Sequence, residues 1–207
     1  MRKIKLLMLL LGVACMVTFT APTYAAMSYT DETTFLTAIQ SGYYLEDFSA
    51  YTYGSYNSLD PLSLSGNGYA WSMSSPGNSL YSSDSAMSTG AANMPINISF
   101  TGNSVTAVGG IFGPSETTGD FVAGNISLTL SDGTSLTKYV NIGDFLGFTS
   151  TVPITSMTIY APDSVTFTQV DHFYVGTAGT VVPVPAAVWL LGSGLIGLIG
   201  LRRRFKK

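Results

Sequence analysis

Three observations predict an all-β chain, an antiparallel β-sandwich of jelly-roll type with one short helix at its start. Short runs of apolar and β-branched residues recur at roughly ten-residue intervals in the second half of the chain. Asp132-Gly133 stands between two of these runs, a strong hairpin signal. Helical spacing with a cap occurs at one place, near residue 31.

At that place Thr30 is positioned to cap a helix, and Asp31 and Glu32 suit the positive end of its dipole. Phe35, Leu36 and Ile39 recur at helical spacing, and Gly42 ends the run. Residues 45–48 read as a first strand. Further strands are expected at 69–73, 96–101, 104–112, 124–130, 134–140, 145–148, 154–160, 165–168 and 170–175. Alternation is clearest in Ile126-Ser127-Leu128-Thr129-Leu130, the mark of a half-buried strand.

Residues 51–90 differ. They are rich in Ser, Gly, Asn and Tyr and poor in aliphatics, so a long polar excursion is expected. Tyr with Ser, Gly and Asn also suits adaptable recognition. Tyr53, Tyr56 and Trp71 are the candidate glycan-binding side chains, because exposed aromatic faces stack on sugar rings.

The charge map separates the chain into three parts. Of nine Lys and Arg, three precede residue 6, five follow residue 201, and only Lys138 lies between. All twelve Asp and Glu fall between Asp31 and Asp171, so residues 26–180 carry a net charge near −11. Such an acidic body repels phosphate backbones, which disfavours nucleic acid as a partner. Met1-Arg2-Lys3-Ile4-Lys5, an apolar run and Ala21-Pro22-Thr23-Tyr24-Ala25 read as a signal peptide over 1–25, cut by signal peptidase. The single cysteine, Cys15, goes with that peptide and leaves the exported body without thiol or disulfide chemistry. Its roughly 155 residues suffice for one domain with its own core.

Residues 181–207 form a second targeting element. Pro183, Val184, Pro185 and Ala186 precede an uncharged span at 186–201, and Arg202, Arg203 and Arg204 follow it. The span reads as a transmembrane helix of about 24 Å, with basic residues on its cytoplasmic side. Gly192, Ser193, Gly194 and Gly197 would let another helix approach closely.

Pro183-Val184-Pro185-Ala186-Ala187-Val188-Trp189 followed by the arginine cluster resembles the PEP-CTERM sorting signal, in its Val-Pro-Leu-Pro-Ala-Ala-x-Trp variant. Val184 stands where the name-giving motif has Glu. The resemblance covers residues 182–207. It implies export in a Gram-negative bacterium that makes extracellular polysaccharide, and recognition near Pro-x-Pro by exosortase, a membrane-embedded cysteine protease/transpeptidase. Delivery to the cell surface or matrix, and a structural or adhesive role in exopolysaccharide or biofilm, are what such a tail implies.

Little in the body points to catalysis. His172 is the single histidine, and in a regular strand its neighbour Asp171 would face the opposite way, so a triad is not expected. One His without a cysteine in the body does not supply a usual zinc site. Twelve carboxylates offer many pairs, none marked out as facing each other across a cleft, as a glycosidase would need. Leu45-Glu46-Asp47-Phe48 and Val170-Asp171-His172-Phe173-Tyr174-Val175-Gly176 resemble the terminal strands of carbohydrate-binding jelly rolls. In those modules the two strands are neighbours and acidic residues hold a structural calcium ion. The resemblance makes Glu46, Asp47 and Asp171 candidate calcium ligands. A carbohydrate-binding module is the second functional expectation, and a secreted hydrolase the third.

Overall fold

The computed structural model describes residues 26–55, 61–76, 79–83 and 85–179. Residues 1–25, expected as a signal peptide, residues 183–204 of the expected sorting tail with its apolar span, and Tyr56 lie outside the described residues. No helix among the described residues is long and apolar enough to cross a membrane.

The chain starts with β1 (Met27–Tyr29), α1 (Glu32–Ala38) and β2 (Tyr44–Glu46). Then come β3 (Gly54–Ser55), β4 (Leu62–Gly66), β5 (Tyr69–Ser74), β6 (Leu80–Ser82) and β7 (Met87–Thr89). The second half supplies β8 (Ile96–Gly102), β9 (Ala107–Ser115), β10 (Gly124–Leu130) and β11 (Ser135–Val140). It ends with β12 (Phe145–Thr149), β13 (Ser156–Tyr160) and β14 (Phe167–Gly176).

These strands form two antiparallel sheets. Sheet one has the order β1-β12-β9-β14-β7-β6-β3, with β2 also paired to β14; sheet two has the order β11-β10-β13-β8-β5-β4. From β7 onward the chain alternates between sheets, apart from the β10–β11 hairpin. Gly133 closes that hairpin with φ +93°, while Thr134 N donates to Asp132 Oδ1 at 2.9 Å. The expected all-β class, antiparallel pairing and single short helix are all present.

One shared core lies between the sheets. Leu62, Leu64, Trp71, Met73, Ile98, Ile126, Leu128 and Ile159 from sheet two meet Leu80, Met87, Phe112, Leu146, Val170 and Phe173 from sheet one. Trp71 packs edge-on to Phe173 across the gap, with ring centres 5.0 Å apart. Burying side chains of this size stabilises by roughly 1.5–3 kcal/mol each.

A smaller aromatic cluster covers the other side of sheet one. Phe35 of α1 packs with Phe145 and Tyr174, and Ile39 and Ala107 are buried with them. A glycine floor makes room for it. Gly109 and Gly147 are register partners on β9 and β12. A Cβ on Gly147 would lie 2.6 Å from the Phe35 ring. Tyr174 OH donates to Glu32 and ties the helix to β14.

Three details depart from the sequence reading. The cap of α1 is Asp31, one residue later than Thr30; its carboxylate accepts from Thr34 N at 2.7 Å and from Thr34 Oγ1 at 2.6 Å. The stretch 51–90 holds β3, β4, β6 and β7 beside the strand expected at 69–73, which is β5, because Leu62, Leu64, Tyr69, Trp71 and Met73 alternate with small polar residues and enter the core. The separate strands expected at 165–168 and 170–175 are one strand, β14, interrupted by a register shift between Asp171 and Tyr174.

Candidate functional site

Three places hold the side chains that could do chemistry or bind: the β2–β14 junction, the aromatic residues of the 43–81 region, and a crevice beside β7.

At the junction, β2 lies against β14 with Glu46 opposite Phe173. Two residues there have positive φ, Phe48 at +54° and His172 at +45°. Such values are costly for side chains with a Cβ and persist where local bonds enforce them. Glu46 supplies one such bond, accepting from Phe48 N at 2.9 Å, and its second oxygen accepts from Tyr44 OH. Asp47 turns to its own loop, accepting from Ser49 N at 3.0 Å and Ser49 Oγ at 2.7 Å. The Ser49 hydroxyl, and then the Ser49 N–H, hold the Asp47 carboxyl below the usual carboxylate range. Burial, and then the Glu46 carboxylate, push the Tyr44 phenol up.

The bulge also corrects the expectation for Asp171. In a regular strand it would face away from His172. Here Asp171 Oδ1 accepts from His172 N at 2.6 Å and lies 2.9 Å from His172 Nδ1. The strand alternation fails at the positive-φ residue, so the two neighbours meet. No serine hydroxyl among the described residues bonds to His172, so the contact stays a pair.

Glu46, Asp47 and Asp171 thus come to the same end of the β2–β14 pair. Their bound oxygens go to neighbouring backbone and side-chain donors. No group of three or more His, Cys, Asp or Glu among the described residues is arranged to hold a metal ion. As placed, the three carboxylates fasten the turns on either side of a strained crossing.

The aromatic candidates separate. Trp71 is 2% exposed in the inter-sheet core and offers no face to a ligand. Its indole Nε1 is buried and has no acceptor among the described residues. Tyr53 is 57% exposed and stands edge-on to Tyr81 at 5.2 Å. Tyr44 and Tyr69 are drawn inward, Tyr44 against Trp71 and Tyr69 by a 2.9 Å bond to Thr177 Oγ1. The Tyr-rich sequence therefore supplies mostly core and seam, which is the ordinary use of aromatics in a sandwich.

The crevice is a site that sequence reading missed. It encloses about 210 Å³ between Tyr81, Ser88, Thr89, Gly90, Glu116 and Phe167. Its walls come from β6, β7, the start of β14 and the loop after β9, joined by non-local pairing that no local motif marks. Glu116 is the one carboxylate among its described lining residues.

Comparison with known proteins gives no matching family model, no matching curated protein and no matching solved structure.

Proposed function

We propose that this chain is an exported cell-envelope or extracellular-matrix protein, sorted by an exosortase-type membrane enzyme, with a structural or adhesive rather than enzymatic role in exopolysaccharide. The observation that carries this reading is the tail: Pro183-Val184-Pro185-Ala186, the uncharged span at 186–201, and Arg202-Arg203-Arg204. Signal peptidase would act at the front end, and the span would hold the chain in the inner membrane until processing. The acidic, single-lysine body between them suits an exterior environment.

Strand order supports the finer fold reading of a jelly roll. The sets β7-β14-β9-β12 and β8-β13-β10-β11 arise when eight successive strands wind as two Greek keys. On this scheme β1 and β3 to β6 extend the sheets at their edges, and β2 pairs with the second half of β14.

A carbohydrate-binding module is the second reading, favoured by an uncharged hydroxyl-bearing face on sheet two. A hydrolase is the weakest of the three. The crevice presents one described carboxylate, whereas glycoside hydrolysis ordinarily uses two across the scissile bond.

Replacing Pro183 and Pro185 by Ala, followed by cell fractionation, tests the sorting proposal. The unaltered chain is expected in the surface and matrix fractions, and the double variant in the inner membrane. Equal surface delivery of both would overturn the role given to the Pro-x-Pro motif.

A further inference from the structure

The outward face of sheet two carries no charge. The strands of that sheet hold one charged residue, Lys138, and its register partner is Ile126 on the core-facing side. Apart from Ala70, outward positions are instead hydroxyls and amides, aligned across strands by the register. One row is Ser63, Ser72, Ser99 and Ser156 on β4, β5, β8 and β13. The next is Ser74, Asn97, Thr158, Thr129 and Ser135, running on through β10 and β11. A third pairs Tyr160, Ser127 and Thr137.

At about 4.8 Å between strands, the four-serine row spans about 14 Å. Its hydroxyls take no partner among the described residues, although all four are at least partly accessible to water. In the second row Thr158 Oγ1 donates to Asn97 at 3.1 Å, which fixes the amide in the plane of the face. Shallow grooves run over the same surface. One of about 450 Å³ is bordered by Pro61, Ser63, Ser72 and Thr101, and another of about 410 Å³ by Asn93, Ser127, Thr158 and Tyr160. Beyond the third row, Asn125 pairs with Tyr139, which is 59% exposed.

We infer that this face is the docking surface for a neutral polysaccharide, an uncharged polyhydroxylated chain laid across the strands along the serine and threonine rows. The inference rests on the matrix reading above and names its partner and surface. Chemistry selects the occupant. Hydroxyls that both donate and accept match the alternating needs of sugar hydroxyls. The strand spacing is close to the length of one sugar residue in an extended glycan, so successive residues meet successive rungs. Tyr139 and Tyr160 give ring surface at one end. A protein partner would be expected to meet an apolar centre with aromatic or arginine anchors, whereas the centre of these rows is serine, threonine and asparagine and the rings stand at one end. An acidic polymer would be repelled by a body near −11.

The test is retention of the full chain, kept soluble in mild detergent, on microcrystalline cellulose and curdlan, with alginate as the acidic comparison. The expected result is retention on at least one neutral polymer and none on alginate. Ser72→Lys with Ser99→Lys should weaken that retention about tenfold or more. Replacing Ser63, Ser72, Ser99 and Ser156 by Ala should weaken it several-fold without altering the melt. Ile142→Lys with Val165→Lys, exposed positions outside this sheet, should leave it unchanged.

Undiminished retention of the serine variants would overturn the inference, as would preference for alginate or no retention on either neutral polymer. So would self-association that the lysine pair abolishes, since a second copy would then own the face. If the chain still reaches the matrix while neutral polymers fail to hold it, only this inference falls. If fractionation also finds it outside the matrix, the functional reading falls with it.

Discussion

The two sheets share a core but live in opposite surroundings. Sheet one is covered on both faces, by the inter-sheet core on one and by the Phe35–Phe145–Tyr174 cluster of α1 on the other. Its central strands are consequently buried almost without interruption, as in β9 and β12. Sheet two is covered once, and its strands alternate buried and accessible along β4, β5 and β10. Sheet one thus carries much of the stability, whereas one face of sheet two is left open to solvent.

Substitutions under α1 should have the largest effect. Phe35→Ala removes a fully buried ring and is expected to cost about 3–5 kcal/mol, read by chemical denaturation. A loss comparable to that of an exposed site would mean that the helix is a dispensable cover. Gly147→Ala comes next, at about 1–3 kcal/mol, because the added methyl meets the Phe35 and Phe145 rings. The double variant with Phe35→Leu should recover part of that loss, since a smaller side chain vacates the contact.

The dependence on pH follows in size. Burial, and then the Glu32 carboxylate, push the Tyr174 phenol up, and burial with Glu46 does the same to Tyr44. A raised phenol gives stability that is whole below about pH 10 and is lost as pH rises beyond it. Asp31 and Asp47 are held low, first by hydroxyl bonds from Thr34 and Ser49 respectively. Depressed carboxyls give stability that is whole above about pH 4 and is lost as pH falls. Melting temperature against pH should therefore form a plateau with both limbs, and Tyr174→Phe should flatten the alkaline one. An alkaline limb unchanged by that variant would remove Tyr174 from the account.

The smallest effect is expected on the open face. Ser99→Ala should change stability by no more than about 0.5 kcal/mol. A drop of 2 kcal/mol, roughly the scale of a buried polar group, would mean that the face is covered in the native protein. Calcium offers a further check on the junction. With the Glu46, Asp47 and Asp171 oxygens already bonded locally, millimolar calcium against chelator should move the melting temperature by less than about 1 °C. A rise of several degrees would make them ligands.

The same contrast governs what could be read from the sequence. The β10–β11 hairpin was legible because one face of each strand meets water and Asp132-Gly133 dictates the turn. The strand at 69–73 is legible too, but whether Trp71 faces a ligand or the core is not, because alternation with Ala70 and Ser72 defines two faces without saying which one is covered. β1 and β4 escaped notice for a related reason, being short or serine-rich, so that pairing rather than propensity makes them strands. The Asp171–His172 pair depends on a bulge, and the serine rows depend on register across four strands. Neither is a local property. The functional reading lies wholly in the tail, where residue order alone carries the signal.

The intact mass of the protein recovered from the cell surface or matrix tests the central claim most directly. Sorting by an exosortase-type enzyme predicts a C-terminus near Pro183 to Ala186, with the apolar span and the arginines gone. Recovery of a chain ending in Arg202 to Lys207 would contradict it and leave residues 186–201 as a permanent anchor.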